Sequence, residues 1–299
     1  MYSLKIMTNS GEIQHAILHT LAYADVFDSP LTADEIQRYL TGVKASSAEV
    51  EGALGQLTPQ IACDGRYYFL SGREIIVVTR KRRAGVASQL WTKAILYGQV
   101  IASLPFVRMV AVTGSLAMDN TEDGKDIDYI IVTQKGYLWT CRAMTLAIAR
   151  VARLDGVTLC PNYLITENAL ELENRSLYVA RELAQMIPLS GMEVYIHMRC
   201  LNSWTDEYLP NAKDAPQLPA GILPIKAPFL FQRVMEFILK VLPTSWFERW
   251  EMNRKIAKLS REQGSSPEAK FTADICKGHV NRHGQKTENA IREKLEQIL

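Results

Sequence analysis

The chain has 299 residues, 47% apolar and 22% charged, an ordinary globular composition with room for about two domains of ~150 residues. Thirty-four Lys and Arg against 32 Asp and Glu leave a net charge of +2, which excludes polyanion binding driven by total charge. Nucleic-acid binding would need a local basic patch. A first helix is predicted from Glu12 to Phe27, where Ile13, Ile17, Leu21 and Ala24 recur at helical spacing. Asp28-Ser29-Pro30 stops it, because the residue before proline avoids the helical region. Thr32 with Glu35, and Ser46 with Glu49, read as capping boxes; they open a second helix ending near Leu40 and a third running through Leu57. Asp64-Gly65 between two apolar arms, Ile61-Ala-Cys and Tyr67-Tyr-Phe-Leu70, is a hairpin signal. Three short helices and a hairpin follow the order of a winged helix, so residues 1–75 are expected to form a winged-helix-like module. Residues 76–105 are expected to be linking helices with an exposed basic stretch, Arg80-Lys81-Arg82-Arg83.

From Phe106 the pattern changes to strands and helices, giving an α+β fold. Strands are predicted at Val107–Val112, Ile127–Thr133 and Val157–Ile165, with a short helix opening at Ser115 and a long one over Leu138–Arg153. Helices over Leu177–Met186, stopping before Pro188, and over Glu193–Trp204 complete a core of residues 106–212. Residues 213–299 read as a helical C-terminal region. Ala227–Leu242 and Ser245–Glu262 are amphipathic helices divided by Pro243, and a linker, Gln263-Gly-Ser-Ser-Pro267, precedes a terminal helix over Thr287–Leu299. The most lipid-like segment, Ala227–Leu242, is broken by Arg233, Glu236 and Lys240 and is at most interfacial. No uncharged stretch approaches the ~18–20 apolar residues that span a bilayer. The first residues lack the apolar run of a signal peptide. Cys63, Cys141, Cys160, Cys200 and Cys276 lie far apart, without Cys-x-x-Cys or zinc-ligand spacing, and read as reduced thiols of a cytoplasmic protein.

The window Val110–Val132 carries the chemistry. A strand ends in Gly114-Ser115, a helix begins at once, and Asp126-Ile127-Asp128 opens the next strand. Residues i and i+2 of a strand point to one side, so Asp126 and Asp128 share a face while Ile127 points into the sheet. Two adjacent carboxylates repel unless a cation sits between them, and Mg²⁺ is bound through one or two carboxylates plus substrate phosphates. Gly114 lets backbone approach a phosphate, the amides after Ser115 can face the anion, and the Ser115 hydroxyl can donate.

Gly114-Ser115 with Asp126-Ile127-Asp128 resembles the DNA polymerase β-like nucleotidyltransferase superfamily, whose members carry Gly-Ser or Gly-Gly after a strand and Asp-apolar-Asp on the next. The resemblance implies a small mixed sheet with helices and catalytic, Mg²⁺-binding roles for Asp126 and Asp128. It also implies triphosphate binding at Gly114 and Ser115, and transfer of a nucleoside monophosphate from an NTP, with ATP the expected donor, to a small-molecule or protein acceptor. Members usually add a third carboxylate on a later strand; Val157–Ile165 contains none, with Asp155 just before it and Glu167 just after. Asn162 is the candidate neutral third ligand, but it cannot act as a base. More loosely, the module order and the stretches Leu159–Tyr163, Arg181–Met186 and Asn202–Trp204 resemble a group of bacterial nucleotidyltransferase-like proteins with an N-terminal winged helix.

Arg142 and Lys135, after the second strand, are candidate triphosphate contacts or ordinary surface charges. Arg181, Glu182, Asn202 and Trp204 read first as packing residues and second as pocket lining. His279 and His283 read as surface histidines rather than a metal pair. Two alternatives stand beside the enzyme: a catalytically inactive nucleotide-binding regulator on the same fold, and a winged-helix DNA-binding regulator. Charge disfavours the second. Residues 1–75 carry five positive and nine negative charges, and the presumed recognition helix, Ser47–Leu57, holds two glutamates and no basic residue. Packing or protein contact, including a homo-oligomer, suits that module better. Residues 220–299, with 14 positive and nine negative charges, form the basic end.

Overall fold

The computed structural model of the chain describes residues 9–122, 124, 126–219, 229–241, 244–263, 269–278 and 283–298. The N-terminal helices are α1 (Asn9–Asp25), α2 (Ala33–Arg38) and α3 (Ser47–Leu54). Both capping boxes form: Thr32 N donates to the Glu35 carboxylate at 2.8 Å and Ser46 N to that of Glu49 at 2.8 Å, while Thr32 and Ser46 hydroxyls accept from the backbone N–H of Glu35 and Glu49. The hairpin is β1 (Ile61–Asp64) and β2 (Tyr67–Leu70). Asp64 faces Tyr67 in register, so Gly65-Arg66 is a two-residue loop, and φ of +62° at Gly65 suits glycine. A bridge between Leu31 and Tyr68 ties the hairpin to the segment before α2.

Residues 75–102 form one continuous helix, α4 (Ile75–Ala102). Half of the basic stretch on it is exposed as the sequence predicts, Lys81 and Arg82, while Arg80 and Arg83 turn inward. Arg80 is buried and donates to Ser29 Oγ at 2.9 Å and Glu35 at 2.7 Å; Arg83 donates to Phe27 O at 3.0 Å, Asn120 at 3.1 Å and Glu122 at 2.6 Å. Lys81 pairs with Asp64 at 3.3 Å, and Arg82 is exposed. These cations fasten the N-terminal helices to the rest of the chain.

The following elements are β3 (Val107–Thr113), α5 (Gly114–Ala117), β4 (Ile127–Thr133), α6 (Leu138–Leu154), β5 (Leu159–Thr166), α7 (Leu177–Gln185), β6 (Ile187–Ser190), α8 (Met192–Leu201) and α9 (Thr205–Tyr208). After them come α10 (Phe229–Val241), α11 (Thr244–Gln263), β7 (Lys270–Phe271), β8 (Ile275–Lys277) and α12 (His283–Ile298). The strands form one mixed sheet in the order β6-β3-β4-β5-β8-β7, in which only the β4–β5 pair is parallel. Alternation in β4 sends Ile127, Tyr129 and Ile131 into the core beneath α4 and α6, and Ile130 and Val132 into a second core with residues of α7 and α8.

Three strands were absent from the sequence reading. β6 holds Pro188 and lies at the sheet edge opposite β3, the position where a strand tolerates proline. β7 and β8 correct the expectation of a purely helical C-terminal region, because β8 pairs with β5 and joins that region to the central sheet. The last helix returns to the opposite end of the chain. Ile291 of α12 is buried in the core of α1–α3, and Lys294 and Arg73 both pair with the buried Asp25 carboxylate. No helix among the described residues is long and apolar enough to cross a membrane.

Gly191, between β6 and α8, has φ of +72°, and a Cβ there would lie 2.1 Å from Arg108 O and 2.8 Å from Met109 Cα. Gly191→Ala is therefore expected to lose ~3 kcal/mol or more in urea denaturation. Gly72→Ala, at φ of +83° but in open space, is expected to lose only the conformational ~1–2 kcal/mol.

Candidate functional site

The site begins with a register. In the antiparallel β3–β4 ladder Thr113 faces Asp128, so the last residue of β3 sits across from the second residue of β4. The chain turns immediately after Thr113, and Gly114 takes φ of +67° to enter α5. A Cβ on Gly114 would lie 2.6 Å from Asp128 Oδ2, so the carboxylate occupies the space that any other residue would fill. α5 is a single turn, so an anion there meets a few backbone amides rather than the end of a long helix. Ser115 stands on the same cavity wall as Gly114 and Asp128.

Asp128 is also paired in register with Cys160 of β5, across the parallel ladder. The Cys160 thiol lies within hydrogen-bonding reach of both Asp126 and Asp128, so the two carboxylates are neighbours of one sulfur. Burial first, and then these two carboxylates, push the thiol up to about 12, so it stays protonated as a donor. Among the described residues no group of three or more His, Cys, Asp or Glu is arranged to hold a metal ion. The protein thus offers two convergent carboxylates, the share that Mg²⁺ takes from a protein when phosphates and water complete its octahedron.

Gly114, Ser115 and Asp128 line a cavity of about 680 Å³ between the N-terminal helices and the α7–α8 face of the sheet, whose lining does not include Asp126 or Cys160. Tyr23, Phe27 and Leu31 form one wall, Tyr163 and Lys277 another, and Arg181 and Glu182 of α7 a third. Lys277 lies 5.3 Å from the Tyr163 ring centroid. Arg181 is buried between the rings of Tyr23 at 4.5 Å and Tyr39 at 4.8 Å, and donates to Tyr39 O at 3.0 Å. Burial brings its guanidinium down to about 10, and it remains charged at neutral pH. Glu182 keeps a small exposed surface on the cavity side. Burial, and then repulsion from Asp128, push its carboxyl up to about 7, with Lys277 partly opposing the shift. Glu182 is the carboxylate that the sequence reading placed first among packing residues.

Other expected residues fall elsewhere. Arg142 is not part of the cavity: α6 covers the opposite face of the sheet, where Arg142 lies 5.8 Å from the Trp139 ring centroid and within reach of the Cys276 thiol. Lys135 follows the far end of β4, about 20 Å along a seven-residue strand from Asp128. Asn162 lies in β5, with its side chain outside the described ones. Asp155 accepts from Lys93 at 3.1 Å and Tyr97 at 2.9 Å, away from the cavity, and Glu167 does not line it. Asn202 and Trp204 are packing residues: Asn202 is fully buried and accepts from Trp204 Nε1 at 3.1 Å. Asp123, Lys125 and His279 lie outside the described residues. Comparisons with protein-family models, curated proteins and solved structures give no match to this chain.

Glu182 links the site to stability. Its folded pKa stands above the ~4.3 of an unfolded glutamate, so the folded chain binds the extra proton and loses stability as pH rises from that range through about 7. Glu182→Gln is expected to remove this component. The slope of stability against pH, followed by urea denaturation without Mg²⁺ between about pH 4.5 and 8, should be less negative in the variant. An unchanged slope contradicts the assignment.

Proposed function

We propose that the chain is a Mg²⁺-dependent nucleotidyltransferase, with an NTP as donor and a small molecule or protein segment as acceptor. The observation that carries this reading is the contact of the Asp128 carboxylate with Gly114, beside Asp126, at the mouth of a large cavity. The β3–α5–β4 arrangement supports a polymerase β-like core, and the three helices with a bridged hairpin support a winged-helix module. Asp126 and Asp128 hold the metal, and Cys160 donates to the same carboxylates and fixes their aim. Mg²⁺ held there would supply the positive charge that offsets charge developing on the phosphates during displacement at phosphorus. Gly114 admits the triphosphate against bare backbone, and the Ser115 hydroxyl donates to it. Lys277 on the cavity wall adds positive charge, while Lys270 there is paired with Glu173 at 2.7 Å. Glu182, with a pKa near the working pH, takes the proton of the attacking acceptor hydroxyl, a role for which β5 offers no carboxylate.

The N-terminal module serves here as a wall of the cavity through Tyr23, Phe27 and Leu31. DNA binding loses its best basic residues, since Arg80 and Arg83 are turned inward onto Ser29, Glu35 and Glu122. The NTP donor and five free thiols suit a cytoplasmic setting. A nucleotide-binding regulator without turnover is the second reading, favoured by the lack of an acidic residue in Leu159–Thr166.

Pyrophosphate release with ATP and Mg²⁺, paired with isothermal titration of nucleotide, separates the two. Turnover should fall about a thousandfold or more in Asp126→Asn and Asp128→Asn. Gly114→Ala, which displaces the Asp128 carboxylate, should cost about a hundredfold. Binding without release supports the regulator. Full turnover in the Asp126→Asn/Asp128→Asn double variant would falsify the metal assignment.

A further inference from the structure

The helices α10 and α11 carry an outward face that the nucleotide site does not use. An ordinary surface helix turns its apolar stripe inward and its polar face to water. α10 does the reverse. Gln232 Nε2 donates to the carbonyls of Leu104 and Val107, both at 2.9 Å, and Glu236 accepts from Phe106 N at 2.8 Å and Arg108 at 2.7 Å. With these polar anchors facing the sheet, the apolar side chains of the opposite face point outward. Leu230 is 79% exposed, Phe237 71% and Val241 74%, and Phe231, Val234 and Ile238 stand beside them. The face continues onto α11 with Trp246, 67% exposed, whose ring stacks on Trp250 at 6.3 Å. Soluble chains rarely expose a contiguous apolar patch of this kind without a partner.

Charge indicates which partner. From Phe229 to Arg261 the acids are Glu236, Glu248 and Glu251, and all three turn inward. Glu248 accepts from the first amides of α6, Trp139 N at 2.9 Å and Thr140 N at 2.7 Å, and Glu251 is buried beside Arg254. The charges left exposed on the two helices are six cations, Arg233, Lys240, Arg249, Arg254, Lys258 and Arg261, and one acid, Glu262, which pairs with Lys258 at 3.7 Å near the far end of α11. Aliphatic and phenyl groups, a pair of tryptophans and a flank in which exposed cations outnumber the one exposed acid match the requirements of an interfacial helix on an anionic bilayer. A second copy fits less well, because pairing this face with itself brings Arg233, Lys240 and Arg249 toward like charges. We propose that α10 and the start of α11 dock this chain on an anionic lipid surface, with Leu230, Phe237, Val241 and Trp246 entering the headgroup–acyl boundary and the flanking Arg and Lys contacting lipid phosphates.

Flotation of the full chain with vesicles of phosphatidylcholine alone, or of phosphatidylcholine and phosphatidylglycerol in equal parts, tests this. Binding is expected on the anionic vesicles only, and added salt should weaken it. Phe237→Glu/Val241→Glu, at exposed positions that leave the fold intact, should reduce partition about tenfold or more. Arg233→Gln/Lys240→Gln should reduce it about fivefold per charge. The other three tryptophans, Trp91, Trp139 and Trp204, are buried, so anionic vesicles should shield Trp246 and Trp250 from acrylamide and blue-shift their emission. Equal binding to both vesicle types overturns the anionic assignment. Self-association abolished by Phe237→Glu, without vesicle binding, assigns the face to a second copy. A monomer that ignores both vesicles leaves it to a protein partner and also overturns the proposal.

Discussion

The Asp128 carboxylate lies where a Cβ at position 114 would come within 2.6 Å of its Oδ2, so glycine there leaves the carboxylate undisplaced. That contact exists because the β3–β4 register sets Asp128 across from Thr113 and the chain turns on the next residue. It determines much of what surrounds it. Pleat alternation sends Ile127 and Tyr129 into the core under α4 and α6, so the Asp128 face belongs to the cavity. The parallel β4–β5 pairing then brings Cys160 beside both aspartates. Two neighbouring carboxylates repel in water and suit a cation between them, and that is the argument for the proposed metal-assisted phosphoryl chemistry over a purely structural turn.

The N-terminal helices matter to the site because they are fastened to it. Arg83 joins Phe27 O to Asn120 and Glu122, in the loop between the Gly-Ser turn and the aspartates. Asn120 also donates to Phe27 O at 3.0 Å. Arg181 crosses from α7 to lie between two tyrosines of the N-terminal helices. α12 completes the core of those helices from the far end of the chain. The N-terminal helices and hairpin, with their excess of acidic residues, thus hold Arg80 and Arg83 of α4 and Arg181 of α7 in internal contacts.

Much of this was legible in the sequence where the signal is local. Thr32/Glu35 and Ser46/Glu49 specify caps within four residues, Asp64-Gly65 specifies a tight turn, and alternation within β4 separates Asp128, on the cavity side, from Ile127 and Tyr129 in the core. The illegible parts depend on distant partners. β8 is three residues long and exists only because β5 offers an edge; Pro188 hides β6 because its strand is tolerable only at the sheet margin. The Arg80–Arg83 run reads as solvated until Ser29, Glu35 and Glu122 are brought against it. Arg142 follows the second strand closely in sequence, but a seven-residue strand carries it to the other end and face of the sheet. Glu182 reaches Asp128 only through packing of α7, and on its own helix nothing distinguishes it from an ordinary glutamate. Cys160 carries no local mark at all; its position follows from the β4–β5 register.

The proposed function requires Asp126, Asp128, Gly114 and Ser115 to form one binding site for a metal–triphosphate unit. A crystal structure with a non-hydrolysable ATP analogue and Mg²⁺ tests it most directly. The expected result is a triphosphate lying on Gly114 and Ser115, with Mg²⁺ ligated by both aspartates and the open side of the α-phosphate facing Glu182. A nucleotide bound elsewhere, or a metal that leaves the two carboxylates untouched, would contradict it.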